Sequence, residues 1–258
     1  MRLYDSHAHF EGWTFTERLA VCERALAAGV THIVAIGGCP SGNAAALELA
    51  ALRPAQVRAA VGWDRAQAAR DLDLGAIRKA LQSPGVVAVG ETGLDYHHDS
   101  CTAARQRPLF AAMLDLAAEA GLPTIVHSRE AEADTLAALR DHARRWRGDP
   151  ARIGVVHCFT GDSEFAAALL DLGWHISFSG IVGFANAERL RAVARCVPVD
   201  RLLVETDAPY LSPPPFRGRV NEPARLNLVV EALAAARGER PEQVTEVTFE
   251  NAERLFGR

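Results

Sequence analysis

The sequence predicts a (β/α)8 barrel, an α/β fold forming one domain over residues 1–258 with an extra C-terminal helix, and three observations predict it. Short β-branched or leucine-rich runs alternate in order with longer alanine- and leucine-rich segments of helical period. The 258 residues match the usual size of such a barrel, about 250 residues. Finally, His7, His9, Glu91, His127, His157 and Asp207 stand just past the ends of apolar runs, on the first, fourth, fifth, sixth and eighth predicted strands. An open doubly wound sheet binds its ligand only at a switch point. A closed ring brings such widely spaced strand ends to one spot.

The elements follow in order. A strand near 2–6 leads to a helix near 15–28, which Gly29 ends as a C-terminal glycine. The second strand, near 31–36, precedes a helix at 42–52; the third, near 57–62, precedes one at 72–83 that Pro84-Gly85 stops. Val86–Gly90 is the fourth strand, and Gly121 closes the helix 103–120 after it. Strands near 123–127 and 152–156 flank a helix at 131–147. Gly173 separates the helix 163–172 from the seventh strand, 174–178, and a helix at 186–196 leads to the eighth, 201–205. Two helices follow, at 223–237 and 241–256. In the first, Leu226, Val229, Val230 and Leu233 form one apolar stripe, and Pro241 opens the second. Between Asp207 and these helices, 209–223 carries five prolines, a long rigid loop on the face where barrels build their sites.

A net charge of -4 excludes a globally basic surface, and with it strong non-specific binding along a duplex, but allows a local arginine grip on a few phosphates. The five cysteines, Cys22, Cys39, Cys101, Cys158 and Cys196, are scattered without a CxxC pair. That argues against a disulfide framework and a thiolate zinc site and favours a reducing compartment. Charged Asp5 and His7 stand where a signal peptide needs apolar residues, and no apolar run approaches a membrane span. The expectation is a cytoplasmic protein without a membrane partner.

His7 and His9 are two apart, so on a strand both imidazoles reach one side. His127 and His157 close consecutive strands in parallel contexts, Ile125-Val126-His127 and Val155-Val156-His157. Four histidines and two carboxylates are too many for one tetrahedral zinc and suit two divalent cations. In one division His7 and His9 hold the first, His127 and His157 the second, Glu91 bridges, and Asp207 completes the first site. A hydroxide shared between cations about 3.5–4 Å apart is a strong nucleophile at neutral pH. The donor set admits magnesium, manganese, zinc, cobalt or nickel. The single lysine, Lys79, lies inside a predicted helix, which excludes a carboxylated-lysine bridge and leaves that place to Glu91. Glu205, two residues before Asp207, reads as a supporting group, and His97 and His98 as loop residues placed to meet substrate.

These contexts resemble the TatD family of metal-dependent deoxyribonucleases in the amidohydrolase superfamily. The resemblance covers essentially the whole chain. It rests on Asp5-Ser6-His7-Ala8-His9, Gly90-Glu91-Thr92-Gly93-Leu94-Asp95-Tyr96, His127-Ser128-Arg129, His157-Cys158-Phe159-Thr160-Gly161, Phe178-Ser179-Gly180, Glu205-Thr206-Asp207-Ala208-Pro209-Tyr210-Leu211 and Arg217-Gly218-Arg219-Val220-Asn221-Glu222-Pro223. It implies a TIM barrel, two divalent cations held by the six residues above, and hydrolysis of phosphodiester bonds in DNA, single-stranded or at frayed ends. Asp207, Glu91 and Arg129 would then be catalytic, with Arg129 meeting the scissile phosphate, and Tyr96 would join the substrate contacts, as would Arg217 and Asn221, for which anchoring the loop is an equal reading. The same centre suits a small phosphoester, amide or lactone, and a non-catalytic barrel would have lost ligands that are all present here. One segment departs from the family. Where Gly-x-His-Pro is common after strand three, this chain has Gly62-Trp63-Asp64-Arg65, and Trp63 is expected to stack on a base.

Overall fold

The structure, a computed structural model, describes residues 2–70, 72–98 and 103–257. Cys101 therefore lies outside the described residues. Eight parallel strands run in sequence order around the barrel: β1 (Leu3–His9), β2 (Val30–Gly38), β3 (Val57–Trp63), β4 (Val86–Asp95), β5 (Thr124–Arg129), β6 (Gly154–Val156), β7 (His175–Phe178) and β8 (Leu202–Val204). Helices α1 (Phe15–Ala27), α2 (Pro40–Leu52), α3 (Leu74–Ala80), α4 (Ala103–Ala120), α5 (Glu132–Arg145), α6 (Ser163–Asp171), α7 (Glu188–Cys196), α8 (Leu226–Arg237) and α9 (Pro241–Phe256) surround it. The ring closes at its C-terminal mouth, where Ala8 bridges Ala208, Asp207 N–H donates to His7 O at 3.0 Å and His9 N–H to Ala208 O at 2.7 Å.

Boundaries differ from the sequence expectations where local chemistry intervenes. Asp73 caps α3 through the Gly75 N–H, so that helix starts later and is shorter than 72–83. Pro223–Arg225 is a 3-10 turn ahead of α8 rather than its first turn. The strands β1, β4 and β5 run further than expected. His7, His9, Glu91 and His127 therefore stand on strands, and only His157 and Asp207 follow strand ends.

The interior is packed rather than open. Tyr4, Val34, Ile36, Ala60, Ala88, Ile125, Val155 and Leu203 fill one end, and Phe249, Ala252, Leu255 and Phe256 of α9 cap it from below. The extra C-terminal helix thus packs over the N-terminal end of the barrel, opposite the mouth where the ligand-capable side chains gather. Among the described residues, no helix is long and apolar enough to cross a membrane.

Candidate metal centre

Two strand positions above the apolar layer, the interior turns polar. His127, His157 and Glu205 lie two residues beyond Ile125, Val155 and Leu203 and so share their face. His7 Nε2 lies 3.1 Å from His9 Nε2. Glu91 Oε2 faces this pair, 3.6 Å from His7 and 3.4 Å from His9, and Asp207 Oδ1 is 3.7 Å from each. On the other side, Glu91 Oε1 is 3.4 Å from both His127 Nδ1 and His157 Nε2, which are 3.3 Å apart. All six residues of the expected set therefore meet, with one oxygen of Glu91 turned towards each histidine pair.

The donors fit divalent cations. Ring nitrogens face one another and carboxylate oxygens across gaps too short for a water. Potential ligand atoms of His7, His9 and Asp207 lie within 4.8 Å of one another, as do those of Glu91, His127 and His157. Supporting carboxylates orient two of the rings: Asp95 Oδ2 is 3.2 Å from His127 Nε2, and Glu205 Oε1 is 3.2 Å from His157 Nδ1. The His157 ring stacks on His7 with centroids 3.8 Å apart and planes nearly parallel.

Burial dominates the electrostatics of this cluster. It pushes His7 down to about 3, reinforced by His157, and Asp207 up to about 7 against the pull of His157 and His9. Burial alone would raise Glu91, but the Arg65 guanidinium and His157 outweigh it and hold the carboxyl well below its ordinary value.

A cavity of about 320 Å³ opens above the centre, lined among others by His98, Arg129, Thr160, Tyr210 and Arg65. Arg129 donates to Thr160 Oγ1 at 3.4 Å. The other expected substrate contacts are absent from this lining. Trp63 is buried against Ile77, Val89, Met113 and Leu116, its Nε1–H donating to Asp73 O at 3.4 Å, so the expected base stack gives way to core packing. Asn221 is fully buried and donates to Thr206 O at 2.9 Å, anchoring the proline-rich loop. Arg217 lies 3.7 Å over the Phe184 ring, and Tyr96 O–H donates to Asp134 Oδ2 at 2.7 Å. Two contributors have no expectation attached to them. Asp95 sits four residues after Glu91 on β4, and Arg65 Nη1 reaches Glu91 Oε1 at 2.5 Å. The sequence signals were a charge within the Glu91 motif for Asp95 and, for Arg65, its place in the segment that departs from the family after strand three.

A family model for TatD-related DNases matches residues 4–257. The chain belongs to that family. An Escherichia coli K12 relative named as an uncharacterized metal-dependent hydrolase, YcfH, is 50% identical over 184 residues, which cover 71% of this chain and 68% of the relative. The Edwardsiella piscicida protein named 3'-5' ssDNA/RNA exonuclease TatD is 39% identical over 252 residues, 92% of each chain. The crystal structure of the TatD homologue YJJV from Escherichia coli K12 superposes with a TM-score of 0.90 at 32% identity, covering 100% of this chain and 98% of that one. The chain is thus an enzyme, a metal-dependent hydrolase of the TatD-related DNase family.

Proposed function

We propose that residues 1–258 form one phosphodiesterase domain that uses two divalent cations to remove nucleotides from an end of single-stranded or frayed DNA. The observation that carries this reading is Glu91, whose two oxygens face the His7/His9 pair and the His127/His157 pair separately. In this reading His7, His9 and Asp207 would hold one cation and His127 and His157 the other, with a Glu91 oxygen offered to each. Divalent cations bound there would supply Lewis acidity and lower the pKa of a water to the neutral range. Asp207 orients the attacking water and accepts its proton. Arg129 balances the charge that develops on the phosphoryl oxygens. Water adds to phosphorus, the bond to the ester oxygen breaks, and a phosphomonoester and an alcohol leave. A pocket of this size takes an extruded end more readily than an intact duplex. The Edwardsiella relative's name supports single strands as substrate and 3'-to-5' polarity. The cysteine pattern supports a cytoplasmic setting.

Digestion of single-stranded oligonucleotides labelled separately at each end, with magnesium, manganese, zinc, cobalt or nickel, tests this. Stepwise shortening from one end, abolished by Asp207→Asn, is the expected result. Turnover of small phosphoesters, amides or lactones with intact oligonucleotides would overturn it.

A further inference from the structure

The two halves of the centre are not electrostatically alike. The segment after β3 turns at Asp64, whose N–H donates to Gly38 O at 2.8 Å and whose Oδ1 accepts from Ala66 N–H at 2.8 Å. That turn sends Arg65 into the cavity mouth. Its Nη1 is 2.5 Å from Glu91 Oε1, and its Nε is 3.9 Å from Asp95 Oδ2, the oxygen that also holds His127. Both contacts fall on the side of Glu91, His127 and His157. Among the described residues, the ion-pair partners of Asp207 on the other side are His7 and His9, and no arginine or lysine is one of them.

We infer that Arg65 is a positioning residue that makes the two cation sites unequal, leaving the His7/His9/Asp207 site tight and the Glu91/His127/His157 site weak and exchangeable. The guanidinium takes up lone-pair density on Glu91 Oε1 and places a fixed positive charge beside an incoming cation. It also competes for Asp95, which otherwise strengthens His127 as a donor. This inference rests on the two-cation reading.

The full-length, metal-stripped chain is titrated with Mn²⁺, following calorimetry and the electron paramagnetic resonance signal of free and bound Mn²⁺. The wild type should bind two ions in two steps. In Arg65→Gln the weaker step should tighten by about tenfold or more, the shift expected of removing one charge at contact distance, while the tighter step moves by less than about threefold. Arg65→Lys, which keeps the charge, should keep most of the gap. Arg65→Met is read beside Arg65→Gln, with circular dichroism as the folding check, so that one misfolded variant does not decide the result. Two ions with an unchanged gap in the neutral variants, or equal tightening of both steps, overturns the inference and leaves the two-cation reading standing. At most one ion in wild type and variants overturns both.

Discussion

Replacing Gly93 with alanine puts a methyl group where strands β4 and β5 meet at the centre. Gly93 pairs with His127 and has φ +136°, and a Cβ there would lie 2.0 Å from His127 O and 2.8 Å from His127 N. Two costs add. The backbone conformation is closed to L-residues at roughly 1–3 kcal/mol. The overlap with backbone cannot be relieved by a rotamer change, so the strands must part, at roughly 1–3 kcal/mol more. The sum is about 4 kcal/mol, a large share of the roughly 5–15 kcal/mol that holds a domain together. Gly121→Ala is the control. Its φ is also positive, +65°, but among the described residues nothing lies within 4 Å of its added Cβ. It should cost only about 1 kcal/mol. Urea unfolding of metal-free protein measures both. Because Glu91 and His127 are only 3.4 Å apart, parting these strands should also weaken Mn²⁺ binding in Gly93→Ala and not in Gly121→Ala. Equal unfolding free energies for the two variants, with Mn²⁺ affinity unchanged in both, would refute the reasoning.

Glu205→Gln removes the charge that holds His157 Nδ1–H and the Cys158 N–H, and cation affinity should drop about 10–100-fold in a chelator competition while the fold persists. His142 is fully buried between Trp146 and Trp174, and burial pushes it down to about 4. The unfolded chain therefore takes this proton first as pH falls: the stability is complete above about pH 6.5 and is lost towards pH 4. The unfolding free energy of His142→Leu should change less steeply across that window, by up to about 1.4 kcal/mol per pH unit. Trp63→Ala should cost about 3–5 kcal/mol in unfolding experiments, yet leave the KM for a short oligonucleotide within about threefold once the protein is folded, since base stacking worth about 1–3 kcal/mol would have moved it further.

The order and type of all eight strands and nine described helices were legible because apolar periodicity and Gly/Pro punctuation act locally. The metal-capable set was legible for a different reason. Histidine and carboxylate at the mouth ends of successive inward-facing runs leave few other roles once a closed ring is assumed. Asp95 and Arg65 were not legible as parts of the site, because both act across strands. Asp95 reaches His127 on the neighbouring strand, and Arg65 reaches Glu91 from a turn whose path Asp64 sets through a bond to Gly38 on β2. Asn221 read equally as substrate contact or loop anchor until its bond to Thr206 O placed it.

Strand parity, broken at two bulges, explains the convergence of the ligands; packing explains where Trp63 goes. On β5, β6 and β8 the polar residue stands two positions beyond an inward apolar one, so simple alternation predicts it. On β1 and β4 it does not: His7 and Glu91 are three positions beyond inward-facing Tyr4 and Ala88. The ladders show why, with an extra residue on β1 between Asp5 and Ala8 and on β4 between Val89 and Thr92. Each bulge turns the next side chain inward and closes the cluster from a side that alternation would have left empty. The β2–β3 ladder carries a similar irregularity between Ala60 and Trp63, so parity does not say where the indole goes. Packing decides it. The large apolar ring is drawn between Ile77 and Met113 on the outer face, and the polar Asp64 and Arg65 that follow are turned to the mouth. The turn after the third strand therefore presents a positive charge to the centre rather than an aromatic platform, and what it does there is act on Glu91.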